Sequence, residues 1–274
     1  MLKQRVITAI ILLVGFLGAL FYLPDVIWVG LVIGIVLIGV SEWASLAKYA
    51  RTDTYIYLCL SLILMLAVVW VNISYPTYSE FLHLIVYALA AGLWVLIVPA
   101  WMIGGWQVRQ PLLLALIGWM LLIPTGLAMV DLRVQSPWLL LCIMSTVWVA
   151  DIAAYFTGRK FGKHKLAPSI SPSKTWEGVG GALLGVSLYV LILIWASGFL
   201  ASQQMYSGIL FLAAWITVGF AVIGDLFESA IKRQAGVKDS GAILPGHGGL
   251  LDRIDALTST LPITAGVLLL QRLI

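Results

Sequence analysis

The strongest indication of the fold is the uncharged stretch Leu112-Leu-Leu-Ala-Leu-Ile-Gly-Trp-Met-Leu-Leu-Ile-Pro-Thr-Gly-Leu-Ala-Met-Val130. A helix needs about 20 mainly apolar residues to cross the hydrocarbon core of a bilayer, so this stretch is long enough to span one. Its apolar residues are continuous, whereas the strands of a membrane β-barrel alternate apolar and polar residues. Eight further stretches bring the predicted spans to nine, at 6–23, 26–47, 55–73, 82–101, 112–130, 138–157, 179–199, 208–227 and 254–271.

The composition of the whole chain agrees with this prediction. Of its 274 residues, 62% are hydrophobic and only 10% are charged, and the mean hydropathy is +1.05. Soluble domains carry roughly 25% charged residues, and disordered chains combine high net charge with few aromatics, so both classes are excluded. Cys59 and Cys142 lie inside apolar runs and cannot form a disulfide framework or a cysteine-rich zinc site. We therefore predict an all-α, polytopic integral membrane protein with about nine transmembrane helices.

The distribution of lysine and arginine predicts the orientation of the spans. With the N-terminus in the cytoplasm, 14 of the 16 basic residues fall on cytoplasmic ends and loops, and only Arg133 and Arg272 fall on the other side. Cytoplasmic loops of membrane proteins carry such an excess, so we expect the C-terminus outside. The net charge of +4 indicates a basic face that meets anionic lipid or a phosphorylated ligand rather than nucleic acid.

Two polar segments interrupt the apolar pattern on the predicted cytoplasmic side, at residues 158–178 and 228–255. We expect any chemistry to take place there. We accordingly divide the chain into an N-terminal region of about five transmembrane helices, residues 1–140, and a C-terminal catalytic transmembrane region, residues 141–274, that carries both segments.

Carboxylates within or at the edge of the apolar spans are the first candidate site residues, because burying a charge there costs at least about 2.5–3.5 kcal/mol. Asp252 and Asp255 are three residues apart and share a helix face, and Asp225 ends the preceding span. Three carboxylates from two helix ends form the all-oxygen ligand set that Mg²⁺ prefers. The alternative is a pair of helix ends joined by salt bridges. Two more such carboxylates are Glu42 and Asp151.

Glu42 lies apart from the other carboxylates in the chain and has two interpretations. The functional one follows from its predicted depth in the membrane. In the other, it is a packing residue satisfied by a neighbouring arginine or hydroxyl, and Ser45 and Lys48 are placed to share its helix face. The sequence does not decide between the two.

The turn Pro245-Gly-His-Gly-Gly249 lies between the carboxylate groups. Its glycines let the backbone approach a ligand closely and point N–H groups at an anion. Together with the cations on both sides of it, the turn indicates a site that handles phosphate, although His247 is nearly as well explained by a hydrogen bond to the turn itself. The flanking cations are Lys232, Arg233, Lys238 and Arg253.

The other polar segment contains Ser171-Pro-Ser-Lys-Thr-Trp-Glu-Gly178 directly before a span. Thr175 and Glu177 match a helix N-cap followed by an acidic first turn, which does not account for Lys174. The preceding glycine-rich residues resemble the phosphate-binding loop of nucleotide hydrolases only superficially, because His164 stands where that loop needs Ser or Thr.

Both polar segments resemble signatures of the phosphatidate cytidylyltransferases, also called CDP-diacylglycerol synthases. Residues 229–255, from Ser229 to Asp255, match the family signature at every specified position of its 27 residues. Residues 171–178 are similar to a second conserved stretch, in which Ser173 stands where members usually have Lys or Pro. Asp151-Ile-Ala-Ala-Tyr-Phe-Thr-Gly158 resembles a third. The resemblance covers roughly residues 150–260.

This resemblance implies transfer of CMP from CTP to phosphatidate, with release of pyrophosphate and formation of CDP-diacylglycerol for phospholipid biosynthesis. It implies Mg²⁺ as cofactor, with K⁺ assisting in some members. The implied metal positions are Asp225, Asp252 and Asp255. The implied catalytic positions are Lys232, Arg233, Lys238, Asp239, His247 and Arg253. The implied substrate-binding positions are Ser171, Lys174, Thr175, Glu177, Gly248 and Gly249.

The resemblance also implies a location and a set of partners. We expect a multi-pass protein of the cytoplasmic (inner) membrane whose active site faces the cytoplasm. Its partners would be CTP, phosphatidate and the lipid bilayer, and no nucleic acid. The sequence does not determine the oligomeric state, and a homodimer is compatible with it.

Two alternatives remain open at this stage. A CTP-dependent polyprenol kinase, or a cytidylyltransferase that acts on an ether lipid, would need a similar site. A transporter coupled to protons or cations belongs to a different class, and it would place its acids near mid-membrane and contain an internal repeat. The acids here cluster at one predicted face and no repeat is evident, which favours the enzyme.

Overall fold

The computed structural model describes residues 2–196, 207–244, 246 and 248–273, and these form an almost entirely helical bundle. Its helices are α1 (Leu2–Tyr22), α2 (Asp25–Leu46), α3 (Arg51–Ser74), α4 (Pro76–Gly92), a π-helical turn (Leu93–Ile97), α5 (Val98–Gly104), α6 (Pro111–Gln135), α7 (Pro137–Phe161), α8 (Trp176–Ala196), α9 (Ser207–Ala235) and α10 (Leu251–Leu273). Its strands are β1 (Lys165–Ala167) and β2 (Ser171–Thr175).

The predicted membrane spans correspond to these helices. Within the described part of the chain, eight helices are long and apolar enough to cross a bilayer, because α4, the π-helical turn and α5 run on as one helix. The remaining predicted span, 6–23, corresponds to α1, whose described apolar part, Ile7–Tyr22, is shorter. The prediction of an all-α polytopic membrane protein is therefore confirmed.

Proline residues begin several of these helices. Pro76, Pro111 and Pro137 occupy the first turn of α4, α6 and α7. The first turn suits proline because its missing N–H would have no partner within the helix, and its fixed φ angle is already helical. At the other end, α5 stops at Gly105, whose φ of +59° is the left-handed conformation that favours glycine.

A small antiparallel hairpin, β1–β2, interrupts the helices between α7 and α8. The sequence excludes strands for the membrane spans, which are helical in the structure, and makes no prediction of this hairpin. The strands have only three and five residues, too few for an alternating pattern to stand out from a polar loop. The hairpin packs against the ends of α7, α8 and α9, and so closes one end of the bundle.

The largest hydrophobic core runs through both halves of the chain, from Leu20 to Leu269. Helix α10 packs against α4 and α6 of the N-terminal half as well as against α9. A second, smaller core lies between α7, α8 and α9. The division of the chain into regions 1–140 and 141–274 stays a prediction.

A proline inside α10 creates an unusual contact with the N-terminal half. The carbonyl of Thr258 would normally accept the N–H four residues later, but that residue is Pro262, which has none. Trp94, in the π-helical turn, instead donates its indole N–H to this carbonyl at 2.9 Å. Thr125 Oγ1 of α6 lies 3.4 Å from the same oxygen. The free carbonyl is thus satisfied by side chains from other helices.

Candidate active site

The candidate site lies where α7 and α9 end, where α8 and α10 begin, and where the hairpin packs; we call this end of the bundle the motif face. Both polar segments of the sequence are here, because antiparallel neighbours bring their connections to the same end. The sequence predicts that both segments lie on the same side of the membrane, and in the structure they contact each other directly. Arg233 Nε, for example, lies 3.4 Å from the carbonyl oxygen of Ile170.

One contact joins the hairpin to α9 through opposite charges. Lys174 Nζ, at the end of β2, lies 2.6 Å from Asp225 Oδ2. Both side chains remain partly open to solvent, at 22% and 32% exposure, so a ligand can reach the pair. Ser229 Oγ, one helical turn after Asp225, donates to Asp225 Oδ1 at 3.3 Å.

A second, more deeply buried group of charges joins α9 to α10. The ammonium of Lys232 lies 2.5 Å from Glu228 Oε2 and 2.6 Å from Asp252 Oδ1. The other oxygen of Asp252 accepts backbone N–H groups from Ser240 at 3.0 Å and Gly249 at 2.8 Å. Both oxygens of Asp252 are therefore engaged, and Lys232 is held between two carboxylates rather than pointing freely into solvent.

Asp255, near the start of α10, is surrounded by other carboxylates. It interacts electrostatically with Asp225 and Glu228 of α9 and with Asp151 of α7. Asp151 is exposed and also interacts with Lys174 and Arg253. Glu228 Oε1 is buried and has no hydrogen-bond partner among the described residues. Among the described residues, the carboxylates of this region outnumber the lysines that form ion pairs with them, Lys174 and Lys232.

The fit of this region to a divalent cation is mixed. Within the described residues, no three His, Cys, Asp or Glu side chains are grouped tightly enough to hold a metal ion. The donor chemistry nevertheless suits Mg²⁺, because Asp225, Asp255 and Asp151 are close enough to interact electrostatically and Glu228 has an oxygen without a hydrogen-bond partner among the described residues. Asp252 fits less well, since its oxygens already have three partners.

Thr175 and Glu177 have local structural roles at the start of α8. Thr175 Oγ1 accepts the N–H of Gly178 at 3.2 Å, which is the predicted N-cap. Glu177 accepts from the ring and backbone of His164, the ring nitrogen lying at 2.7 Å. The glycine-rich residues before the hairpin include Gly158, which is still within α7 and packs against Thr175, so they form no phosphate loop.

The remaining predicted residues line the surface of the motif face. Arg233, Lys238, Asp239 and Arg253 are exposed, and Ser171 is half-buried in β2. Gly248 has a φ of +82°, and a Cβ there would lie 2.6 Å from Asp252 Oδ2, so only glycine suits this position. His247 and Pro245 lie outside the described residues.

The sequence analysis missed Glu228 as a member of this group. It lies inside an apolar run, but it stands three residues after Asp225 and four before Lys232, so all three share one face of α9. That spacing was the available signal. Asp151 is one of the carboxylates that the sequence places in the apolar spans, and the structure adds that it interacts electrostatically with Asp225 and Asp255.

Comparison with known proteins shows what this chain is similar to. The model of the Cytidylyltransferase family matches residues 3–270. A phosphatidate cytidylyltransferase of Pseudomonas aeruginosa is 38% identical over 288 residues, which cover 98% of this chain and 97% of that protein. One of Haemophilus influenzae is 34% identical over 304 residues, 96% of each chain. One of Thermotoga maritima is 46% identical over 125 residues, covering 45% of this chain and 46% of its own.

The family model covers nearly the whole chain, including the N-terminal helices whose sequence alone resembles nothing more specific than apolar spans. The two relatives that align from end to end extend the similarity over all the elements that build the motif face. This chain therefore belongs to the cytidylyltransferase family.

Proposed function

We propose that this chain transfers CMP from CTP to phosphatidate, forming CDP-diacylglycerol and releasing pyrophosphate. The observation that carries the proposal is the similarity, over 96–98% of the chain, to proteins named phosphatidate cytidylyltransferase. The motif face supports it, because exposed cations surround a group of partly uncompensated carboxylates. That charge pattern suits a reaction in which two phosphate groups and a cation meet.

The chemistry needs positioning more than proton transfer. The phosphate of phosphatidate is already anionic near neutral pH, so its oxygen can attack the α-phosphorus of CTP without a strong general base. What remains is to hold the two phosphates in line and to neutralise the charge on the departing pyrophosphate. The exposed cations Arg233, Lys238 and Arg253 are available for the pyrophosphate, and Lys174 can exchange its carboxylate partner for a phosphate oxygen.

Mg²⁺, when bound, would supply charge neutralisation between the phosphate oxygens. Asp225 and Asp255 would hold it, with Asp151 and Glu228 beside them. Asp252 also remains a predicted metal position, but its two oxygens are engaged by Lys232 and by backbone N–H groups, so we assign it first to orienting Lys232. A role for K⁺ and a homodimeric state stay predictions.

The reaction class is tested by following two labels of CTP in detergent-solubilised protein. Label on the α-phosphate should enter the lipid with phosphatidate as acceptor, and label on the γ-phosphate should leave as pyrophosphate. A polyprenol kinase would give the opposite result, with γ-label in the lipid. Transfer of neither label to lipid, with a folded and monodisperse protein, would contradict the enzyme proposal.

The identity of the acceptor gives a second expected result. Phosphatidate should be converted, whereas diacylglycerol with the same acyl chains should yield no detectable product, because only the phosphomonoester supplies an anionic oxygen to attack CTP. The measurement compares initial rates for the two lipids in identical mixed micelles. Equal rates would show that the lipid phosphate is not the nucleophile and would favour a kinase.

The orientation in the membrane is tested with reporter fusions. We propose that the motif face lies on the cytoplasmic side of the inner membrane, because nearly all basic residues fall at that end. Reporters fused after Ser202 and after Gly241 should then report opposite sides, with Gly241 in the cytoplasm. Signals from the same side would mean that the number of spans is wrong by one between these two points.

A further inference from the structure

Glu42, in the N-terminal half of the chain, is tied to the loop that joins α9 to α10. It lies on α2 and is only 4% exposed. Its Oε1 accepts the N–H of Leu250 at 2.9 Å, and its Oε2 accepts the N–H of Leu251 at 2.7 Å. Ser240 Oγ donates to Oε2 at 3.1 Å. The partners expected from sequence, Ser45 and Lys48, do not contribute, since Ser45 hydrogen-bonds within α2 and Lys48 is exposed.

These bonds place a negative charge at the N-terminus of α10. The first N–H groups of a helix have no partner within it, and the helix dipole favours an anion at that end. Glu42 satisfies two such groups from another helix, about 200 residues away in sequence. It therefore fixes where α10 begins and how that end is rotated.

The loop is shaped to receive this carboxylate. A Cβ added to Gly241 would lie 2.6 Å from Glu42 Oε1, and its three nearest neighbours would all be Glu42 atoms. A Cβ on Gly249 would lie 2.6 Å from Glu42 Oε2. Neither glycine has a positive φ, so the backbone conformation does not require glycine at these positions. Glycine is required there because Glu42 occupies the space that a Cβ would need.

The same loop residues orient Asp252. Ser240 donates its hydroxyl to Glu42 and its backbone N–H to Asp252, and Gly249, which packs against Glu42, donates its N–H to Asp252 as well. Asp252 in turn holds Lys232. A chain of contacts therefore runs from α2 through the loop to the charged side chains of the motif face.

We propose that Glu42 is a positioning residue for the transfer of CMP: by anchoring Ser240, Leu250 and Leu251 it sets the placement of Asp252 and, through it, of Lys232. This inference rests on the proposed function but assigns a role that the C-terminal motifs do not contain. A shift of about 1 Å in such a site can cost on the order of 100-fold in rate. A loss of that size in turnover is the expected effect of breaking the anchor.

The test compares Glu42→Gln with Asp131→Asn as a matched control. Asp131 is also a carboxylate with two partners on one oxygen, His83 and Tyr87, but it lies near the opposite end of the bundle. Glu42→Gln replaces one acceptor oxygen by an NH₂ group, so a backbone N–H at the start of α10 loses its acceptor. We expect kcat to fall on the order of 100-fold in Glu42→Gln and to stay within about twofold in Asp131→Asn.

Two further readouts separate positioning from simple loss of stability. Trypsin should cleave after Lys238 faster in Glu42→Gln than in the wild type, because the loop is released while the bundle remains folded. Gly241→Ala should also lower kcat, because the added methyl group collides with the carboxylate. Glu42→Asp withdraws the carboxylate by one methylene and should make room for that methyl group. The double variant should therefore be more active than the two single effects multiplied together would give.

The inference is overturned if Glu42→Gln keeps wild-type kcat. It is equally overturned if the fall in kcat is fully explained by a lower melting temperature and the rate of cleavage at Lys238 is unchanged. A wild-type protein that made no CDP-diacylglycerol would refute the proposed function instead. The trypsin comparison would still test the anchor in that case, because it does not depend on activity.

Discussion

Asp225→Asn should lower turnover by about 100-fold or more while leaving expression and folding normal. Asp225 is the more accessible of the two carboxylates near the end of α9, the other being Glu228, and it forms an ion pair with Lys174. If Asp225 holds Mg²⁺ as proposed, its neutralisation would remove a hard oxygen ligand and a charge worth several kcal/mol in the transition state, and about 2.7 kcal/mol already equals 100-fold. Removing a charge at membrane depth should ease insertion rather than impair it.

The measurement is kcat as a function of Mg²⁺ concentration, with Asp53→Asn as control. Asp53 is an exposed carboxylate in the first turn of α3 and is not one of the carboxylates of the motif face. The kcat of its variant should therefore remain within about twofold of the wild-type value. If Asp225 only holds Lys174, then Asp225→Asn should have unchanged Mg²⁺ dependence and be no worse when Lys174→Met is added. That result would remove Asp225 from the proposed metal site.

Lys232→Met should cause the largest loss of stability of any single change at the motif face. The lysine lies between Glu228 and Asp252, whose side chains are only 5% and 6% exposed. Removing the cation leaves two carboxylates buried close together without a positive charge to pair with, and breaking a buried ion pair in this way typically costs about 3–5 kcal/mol. We expect a lower midpoint of unfolding in detergent and little activity in the folded fraction.

The comparison variants identify the cause of that loss. Lys163→Met removes an equally charged but exposed lysine and should change stability by less than about 0.5 kcal/mol. Adding Glu228→Gln to Lys232→Met should recover part of the stability, because one of the unpaired charges disappears, but it should not restore turnover. A Lys232→Met protein as stable as the wild type would mean that the carboxylates are neutral or hydrated without the lysine.

Features that depend on neighbouring residues were predictable from the sequence. The spans follow from continuous apolar runs of about 20 residues. The N-cap at Thr175 follows from a hydroxyl three residues before the N–H that it satisfies. The approach of the two polar segments follows from the antiparallel order of helices α7 to α10. Each of these features follows from residues that are close together in sequence, or from the alternating direction of successive spans.

Features that depend on distant partners were not predictable. Asp252 was assigned to a metal by its residue type, but its partners Lys232, Ser240 and Gly249 are fixed by how the loop folds back. The prediction of Asp252 as a ligand therefore remains to be tested. Glu42 carries no local signal of its contact with residues 240–251, because spacing in sequence says nothing about a pairing across about 200 residues.

Trp94 donates its indole N–H to the carbonyl that Pro262 leaves free. This bond limits how far the two halves of the chain can be exchanged between relatives. The bond joins α10, which carries Asp252 and Asp255, to a helix from the first half of the chain. A chimera that took its first half from a relative would have to bring a donor at the same depth, or leave that carbonyl unsatisfied in the hydrocarbon, where water cannot replace it. The apolar first half is thus a fitted counterpart of the second and not an exchangeable membrane anchor.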